Sequence, residues 1–478
     1  MKEPVIIGRR RGQASLGALA ILILLAVLGP AASATAQPVD IPPTWGGSFW
    51  DRPRLTGSWF GLRDEMGKKG IVVDIDLLQV PQGVMTGGRD TVAKYSGLAE
   101  YTLNVDTQKL GLWPGGFLNV MGMTNFGDDV NNASGAFVPP NLVSLLPQPD
   151  DTTSALMSLQ FMQFLSTKFG IAVGKLYTLG GDNNEFAHDF HSTFLNTALD
   201  FNVALALVPF TAYGGTLIFL PWEGAQFTVA VIDPSGSGTN NDISEAFSDG
   251  VLINGEGRVT IKPFGLVGHQ LLGMVWSNKE RLSIKQDPDN IARMLLEKRF
   301  TRLADPGPIL RRILARFFPE LLVPVQPANK TDNTWTVYYN FDQFLWSPAG
   351  QPDNGIGAFF RFGITDGIAN PIKYAYNVGL GGKGIVPGRS MDTFGVGWAR
   401  TQMSDNFVPF LRQRLNLGLD KEDAVEMYYN VAITKWLTAT VDLQIIDPAL
   451  KKTLDSSSQR LRNMDTSVVG GLRLYSRF

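Results

Sequence analysis

The stretch from Asp182 to His191 concentrates side chains that could bind a polyhydroxyl solute. Carboxylates and amides exchange hydrogen bonds with vicinal hydroxyl groups, and an aromatic ring can cover the apolar C–H side of a pyranose. These residue types predict reversible, non-covalent binding, whereas the alternative is an exposed acidic loop that never contacts a solute. The candidates are Asp182, Asn183, Asn184, Glu185, Phe186, His188, Asp189, Phe190 and His191.

The same stretch offers little for catalysis or for a metal ion. His188 and His191 could be read as a metal pair, but no third ligand stands at a characteristic spacing. The chain has no cysteine and three histidines, of which the third, His269, is predicted at a turn. It also has no serine motif of the nucleophile-elbow kind. We therefore expect no enzyme activity, no metal and no cofactor.

Two-faced strands must position these side chains. In the segment that begins at Ile71, Val73, Ile75 and Leu77 alternate with Asp74 and Asp76, which is the pattern of a strand with one apolar and one polar face. The pattern recurs along the chain. It predicts sixteen strands, at residues 71–81, 95–107, 115–126, 157–168, 170–179, 211–220, 224–233, 251–263, 267–278, 334–345, 355–366, 373–383, 390–401, 423–433, 436–446 and 466–478.

The connectors and the chain end decide between a soluble sandwich and a barrel. The last strand ends on the aromatic residue Phe478, as does a strand that closes an outer-membrane barrel. Between the predicted strands, short turns alternate with longer loops, as expected when one end of a barrel must cross the membrane during assembly. The fold class we predict is all-β, a transmembrane antiparallel β-barrel of about sixteen strands with a short N-terminal helical segment and long extracellular loops.

Composition agrees with this class and excludes others. The net charge is −2 and there is no long basic run, so we expect no nucleic-acid partner. The 51 glycines and the 10% aromatic residues suit tight turns and interfacial aromatic belts.

The N-terminus has the pattern of a secretory signal. Arg9 to Arg11 precede the apolar run from Leu16 to Leu28, and Ala34-Thr35-Ala36 follows it. The alternative, a membrane anchor, needs about 20 apolar residues, which is more than this run supplies. We divide the chain into a signal peptide (1–36), an N-terminal lead-in with a short helix (37–70) and the barrel (71–478).

Three motifs stand at 55–70, at 112–116 and at 174–177 with 181–187, and through them the chain resembles the carbohydrate-selective porins of the OprB family. The resemblance covers the mature chain, but departs from the family pattern at Phe60, where a small residue is expected, and after Ser277. It implies passive diffusion of sugars through the outer membrane of a Gram-negative bacterium. The implied partners are outer-membrane lipid, lipopolysaccharide and the barrel assembly machinery, and the alternatives for the assembly are a monomer and a homotrimer. The motifs are 55–70, Leu112-Trp113-Pro114-Gly115-Gly116, and Gly174-Lys175-Leu176-Tyr177 with 181–187.

The resemblance also implies where the solute passes. In porins of this type the third outside loop folds into the lumen, and in our strand list this loop is 180–210. Charged residues at inward positions of the strands should face it. Their mixed signs favour neutral polyhydroxyl solutes over ions. These wall candidates are Lys175, Arg361, Arg473, Asp74, Asp76, Glu100, Glu256, Arg258, Asp342, Glu426 and Asp442.

Among the wall candidates, Arg361 and Arg473 are the strongest individual ones. Each is predicted in the middle of a strand among inward glycines, which leave room for a long side chain. The glycines are Gly357, Gly363 and Gly471.

Two segments leave alternatives open. Residues 203–221 are apolar enough for a membrane helix, but Pro209 and Gly214-Gly215 interrupt them and favour a loop followed by a strand. The insert at 279–333 has helical spacing and many basic residues, which predicts a loop subdomain over the barrel mouth or a contact with lipopolysaccharide or a partner. A general or ion-selective porin and a plugged structural or adhesive barrel are the alternative functions.

Overall fold

The computed structural model describes residues 41–147, 153–287, 290, 307–317, 326–407, 412, 416–454 and 460–478. The predicted signal peptide at 1–36 lies outside these residues.

Sixteen antiparallel strands form a closed barrel in which each strand pairs with the next one in the chain and the last pairs with the first. The predicted fold class is confirmed. The strands are β1 (Ile71–Thr86), β2 (Val92–Asp106), β3 (Gly116–Gly127), β4 (Ser154–Ser166), β5 (Phe169–Tyr177), β6 (Thr211–Phe219), β7 (Ala225–Ile232), β8 (Leu252–Ile261), β9 (Gly268–Ser277), β10 (Thr334–Trp346), β11 (Gly355–Thr365), β12 (Ile372–Lys383), β13 (Thr393–Met403), β14 (Lys421–Ala432), β15 (Leu437–Asp447) and β16 (Ser467–Arg477).

Every predicted strand corresponds to one of these, and the largest difference lies at the first outside loop. The prediction of a longer loop there was wrong, because β1 and β2 extend to Thr86 and Val92. Gly87 and Gly88 close the hairpin with φ angles of 72° and 65°, which L-residues with side chains rarely adopt. The segment 203–221 is a loop followed by β6, as predicted.

Helices are short. They are α1 (Leu62–Lys68), α2 (Asn131–Ser134), α3 (Thr197–Asp200) and α4 (Pro308–Phe317), with 3₁₀ turns at Leu142–Leu145, Thr178–Gly180, Val203–Leu205, Ile243–Glu245 and Pro263–Gly265. In the described part of the chain, no helix is long and apolar enough to cross a membrane. Two small ribbons pair Arg281–Leu282 with Lys330–Thr331 and Lys452–Leu454 with Leu461–Asn463.

The insert after Ser277 is only partly described. Its described residues comprise α4, which begins at Pro308, and the ribbon that closes its base. Ile309 and Phe317 of α4 are exposed, whereas Leu314 is buried. The remainder of the predicted helical subdomain lies outside the described residues.

The two faces of the wall have opposite environments. Outward side chains such as Ile75, Leu217, Leu272, Val441 and Leu472 are apolar and 42–62% exposed. Apolar surface of this extent requires apolar surroundings, as a membrane provides.

Two outside loops fold into the barrel. We name the second, of which 128–147 and 153 are described, L2 and the third (178–210) L3. Leu142 and Val143 of L2 pack with Phe190 of L3 against Leu78 and Leu98 of the wall. The inward folding of L3 agrees with the family resemblance, whereas that of L2 was not predicted.

The N-terminal lead-in joins the first and last strands. Arg63 of α1 is 2% exposed, and its Nη2 donates to the Val73 carbonyl (2.7 Å), to Asp74 Oδ1 (2.7 Å) and to the Phe478 backbone oxygen (3.0 Å). Arg54 Nε pairs with the same Asp74 carboxylate at 2.8 Å. The β1–β16 closure is therefore held by a buried charge from α1.

Removal of this charge should weaken the barrel. We expect Arg63→Met to lower the free energy of unfolding by about 3 kcal/mol, near the low end for a broken buried ion pair, because Arg54 still neutralises Asp74. The temperature at which the folded band shifts to the unfolded position in heat-modifiability gels measures the loss of stability. Lys69→Met, at an exposed residue just after α1, is the control. Equal thermal stability of both variants would contradict the closing role of Arg63.

Candidate functional site

Side chains at the start of L3 alternate between two environments. Asp182, Asn184 and Phe186 are buried, at 2–4% exposure, whereas Asn183 and Glu185 between them are exposed. The stretch that the sequence singled out for solute binding therefore has one side that faces the wall and one side that faces open space.

The buried side of this stretch holds L3 to the wall. Arg361 Nε and Asp182 Oδ2 form an ion pair at 2.9 Å. The Asn340 side chain donates to Asp182 Oδ1 (2.9 Å), and Asn184 Nδ2 donates to Asn340 Oδ1 (2.6 Å). Arg361 also donates to the Leu199 carbonyl at 2.9 Å. Charge-assisted hydrogen bonds of this kind are strong in a buried setting, so these residues position the loop.

Inward Gly357, Gly363 and Gly397 lie against L3, whereas Gly471 faces Gln82 of the wall. A Cβ at Gly357 would lie 2.2 Å from the Phe186 ring, and one at Gly397 would lie 2.7 Å from Leu199. Both distances are below van der Waals contact. The sequence-based expectation that glycines leave room for Arg361 and Arg473 to face a solute is thus not what the structure shows.

Wall carboxylates and arginines bind the backbone of the inward loops. Glu426 accepts hydrogen bonds from the amides of residues 195 and 196 (2.7 and 2.8 Å), and Glu422 accepts from those of 137 and 138 in L2 (2.7 and 2.8 Å). Arg473 donates to the carbonyls of 190 and 193, both at 2.7 Å. Acids thus satisfy loop amides and arginines satisfy loop carbonyls, which explains the mixed charges of the buried wall.

His191 ties the tip of L3 to β2. Its Nε2 lies 2.5 Å from Glu100 and its Nδ1 lies 2.7 Å from Asp189. Although burial favours the neutral ring, these two carboxylates raise the pKa of His191 well above its usual value. Burial, and then Arg361, lower the pKa of His188 to about 4. The two histidines therefore differ in charge at neutral pH. Across the described ranges, no group of three candidate ligands could hold a metal ion.

Lys175 lies on the other face of the wall from the one predicted. Its strand partners are Leu159, which is 46% exposed, and Tyr213, which lies on the same face of β6 as the 49% exposed Leu217. The Lys175 ammonium donates to the carbonyls of Gly238 and Asn240 (3.2 and 3.0 Å) and to the Asn241 side chain (2.7 Å), all in the fourth outside loop, 233–251. The inward prediction was wrong because the residues of β5 next to Lys175, Gly174 and Leu176, hold the inward positions there.

The remaining predicted wall residues occupy separate positions. Asp74 is engaged by Arg54 and Arg63, as described above. Glu256 accepts from the Tyr338 hydroxyl (2.8 Å) and from the Asp182 amide (3.0 Å). Asp76 and Arg258 are partly buried at inward positions. In the described part of the chain neither of these two side chains has a hydrogen-bond partner within the protein, and Asp76 Oδ1 and Arg258 Nε are buried.

A groove beside L3 is lined in a way that the sequence did not indicate. It has a volume of about 190 Å³ and lies between the two ends of L3 and the inward faces of β4 and β6–β8. We call it the L3 groove. Its apolar side comes mainly from the loop and its uncharged polar side from the strands. The residues are Tyr177, Leu179, Phe201 and Phe210 on the first side and Gln160, Thr216, Gln226 and Thr228 on the second.

Four polar side chains of the L3 groove are unengaged, whereas Asp182, Glu256 and Tyr338, which also line it, make the contacts described above. Within the described ranges, none of the Gln160, Thr216, Gln226 and Thr228 side chains makes a hydrogen bond to the protein. Phe201 and Phe210 pack edge to face at 6.2 Å on the other side. The sequence argument missed this set because it selected charged inward residues, whereas these are neutral members of the same alternating pattern.

Comparisons with known proteins agree with the fold. The family model described as "Carbohydrate-selective porin, OprB family" matches residues 90–478. The high-pH structure of Pseudomonas putida OprB superposes with a TM-score of 0.70 at 20% identity, covering 90% of this chain and all of that one. The low-pH structure of the same protein superposes with a TM-score of 0.52 at 16% identity, covering 90% of this chain and 99% of that one. No curated protein matches the chain.

Proposed function

The chain belongs to the OprB family of carbohydrate-selective porins, and on this premise we propose that the permeating sugar binds in the L3 groove. The protein is an outer-membrane porin for sugars, a channel by family and fold. The observation that carries the site is the division of the lumen residues into two sets. One set is saturated by contacts to L2 and L3, and the other keeps free hydrogen-bonding groups opposite an aromatic face.

The L3 groove has the two surfaces that a pyranose requires. Its volume is far above the roughly 15 Å³ needed for one water, so water fills it when no solute is bound. Sugar hydroxyl groups can replace that water on Gln226 and Thr228, which costs little because hydrogen bonds are exchanged one for one. Phe210 and Tyr177 can cover the C–H face of the ring. Binding of this kind is weak and reversible, as passage requires.

Polar residues close in sequence to lining residues of the groove extend the proposed site: Asn183 follows Asp182, and Arg258 is the next inward residue of β8 after Glu256. Asn183 and Glu185 of L3 are exposed beside the wall, and the Glu185 side chain has no hydrogen-bond partner among the described residues. We assign Asn183, Glu185 and Arg258 to solute contact. Positioning of L3 falls to Asp182, Asn184, Phe186, Arg361 and Arg473.

We also propose the setting of the protein from its family and sequence. Residues 1–36 direct export in a Gram-negative cell, 37–70 form the lead-in and 71–478 the barrel. The proposed partners are sugars as solutes, lipopolysaccharide, the barrel assembly machinery and two further copies in a homotrimer. No cofactor takes part in diffusion.

Block of ion current by sugar tests the assignment. We expect wild-type channels in a planar bilayer to conduct and to be blocked by glucose. Gln226→Leu and Phe210→Ala should each weaken the block about fivefold, which is about 1 kcal/mol for a lost neutral contact, and ion conductance should remain near the wild-type value. Asn125→Leu, on an inward position of β3 outside the groove, is the control. Silent wild-type channels would indicate a plugged barrel, and conduction without block a general porin.

A further inference from the structure

We infer that a second sugar subsite adjoins the L3 groove, at the end of the barrel where short turns join the strands. The inference rests on the proposed function. A cavity of about 200 Å³ lies there, separate from the groove but lined by one common residue, Gln160. Its other lining residues include Val72, Asn104, Phe117, Asn119 and Met162.

Three amide side chains form a row across this cavity. Asn104 of β2 is the register partner of Asn119 of β3, which in turn is the partner of Gln160 of β4. Neighbouring strands are about 4.8 Å apart, so the row is about 10 Å long. This length exceeds a single pyranose ring and suits two linked sugar units.

The row is partly fixed and partly open. Asn119 Nδ2 donates to Asn104 Oδ1 at 2.9 Å, which orients both amides. The Asn104 amide hydrogens and the Asn119 oxygen then remain available. The Gln160 side chain makes no hydrogen bond within the described residues. Each amide can therefore donate to or accept from a hydroxyl group without the loss of an existing contact.

Two glycines connect the row to the L3 groove. Gly174 of β5 is the next register partner after Gln160, and Gly214 of β6 follows it. A side chain at Gly174 is excluded by its φ of 126° and by the Leu159 carbonyl, which would lie 2.2 Å from a Cβ. The wall between Gln160 and the groove is thus bare backbone, and a chain of sugar units can extend across it.

An apolar face accompanies the amide row, as it does in the groove. Phe117, Met162 and Val72 lie at inward positions of β3, β4 and β1 and line the same cavity. Asp106, at the rim, is already engaged, because its Oδ1 accepts from the amides of Gln108 and Lys109. Lys109 also lines the cavity beside Asp106, so the rim carries both signs of charge and the amide row itself carries none. The ligand class that fits the row is therefore a neutral linear oligosaccharide, with one unit in the L3 groove and one or two units along the amides.

Current block by two sugars tests this second subsite. In planar bilayers, we expect maltotriose to block the wild-type channel more strongly than glucose. Asn119→Leu should weaken the maltotriose block about fivefold, as for one lost hydrogen bond, and should leave the glucose block within twofold, because the L3 groove is intact. Gln160→Met, at the junction, should weaken the block by both sugars. Asn125→Leu, an asparagine at another inward position of β3, should change neither.

Ion conductance close to wild type shows that each variant channel is folded. The second subsite is overturned if Asn119→Leu and Asn104→Ala channels conduct normally and keep the wild-type maltotriose block. It is also overturned if glucose and maltotriose block the wild type equally. A wild-type channel that conducts but is blocked by neither sugar would instead refute the proposed function itself.

Discussion

Replacement of Arg361 by methionine should release L3 from the wall, raise the single-channel ion conductance severalfold and abolish most of the sugar block. The Arg361 side chain is 1% exposed, pairs with Asp182 and donates to the Leu199 carbonyl. Its loss leaves the Asp182 carboxylate buried without a counter-charge, at a cost of about 3–5 kcal/mol. A loop opens locally at a lower free energy than a barrel unfolds, so L3 should detach while the barrel stays closed.

Two matched variants separate this effect from a simple change of lumen charge. Lys383→Met removes a cation from an exposed inward position with no partner in the described part of the chain, and should leave the sugar block intact. The double variant Asp182→Asn with Arg361→Met removes both buried charges and should recover part of the block, because two neutral groups are less costly than one unpaired charge. Wild-type conductance and block in Arg361→Met would contradict the anchoring role.

Alkaline pH should loosen the tip of L3 through His191. The folded-state pKa of His191 is raised, so the stabilisation by Glu100 and Asp189 is fully present below the ordinary histidine value and is lost as the pH rises through the raised value. We therefore expect hydrogen exchange at residues 190–194, corrected for the intrinsic rate, to accelerate in alkaline solution. In His191→Gln, exchange at these residues should already be fast at neutral pH and should change little as the pH rises further. Hydrogen exchange at these residues that does not change with pH in the wild type would refute this role of His191.

The strands were predictable from sequence because their signal is local. Alternation of apolar and polar residues, as in Val73 to Leu77, requires only that one face meets lipid and the other meets something polar. All sixteen strands followed from it, and the short helix predicted in the lead-in is α1.

The environment of the polar face of a strand depends on parts of the chain far from that strand. The sequence therefore did not predict which inward residues contact the loops. Glu426 and Arg473 have the same inward positions whether they meet water, a sugar or the backbone of L3. Only the path of L2 and L3 decides between these environments, and that path depends on contacts far apart in the chain, such as Phe194 against Phe359 and Tyr428. Uncharged inward residues such as Gln226 and Thr228 are even harder to identify as site residues from the sequence, because no charge distinguishes them.

The position of a bound monosaccharide is the most direct test of the proposed site. A crystal structure of the full barrel soaked in glucose should show the sugar in the L3 groove, with its hydroxyl groups on Gln226 and Thr228 and its C–H face on Phe210. Asp182, Arg361 and Arg473 should remain bound to the loop or the wall, as they are without sugar. Glucose in contact with Arg361 or Arg473, with L3 displaced from the wall and the groove empty, would contradict the assignment.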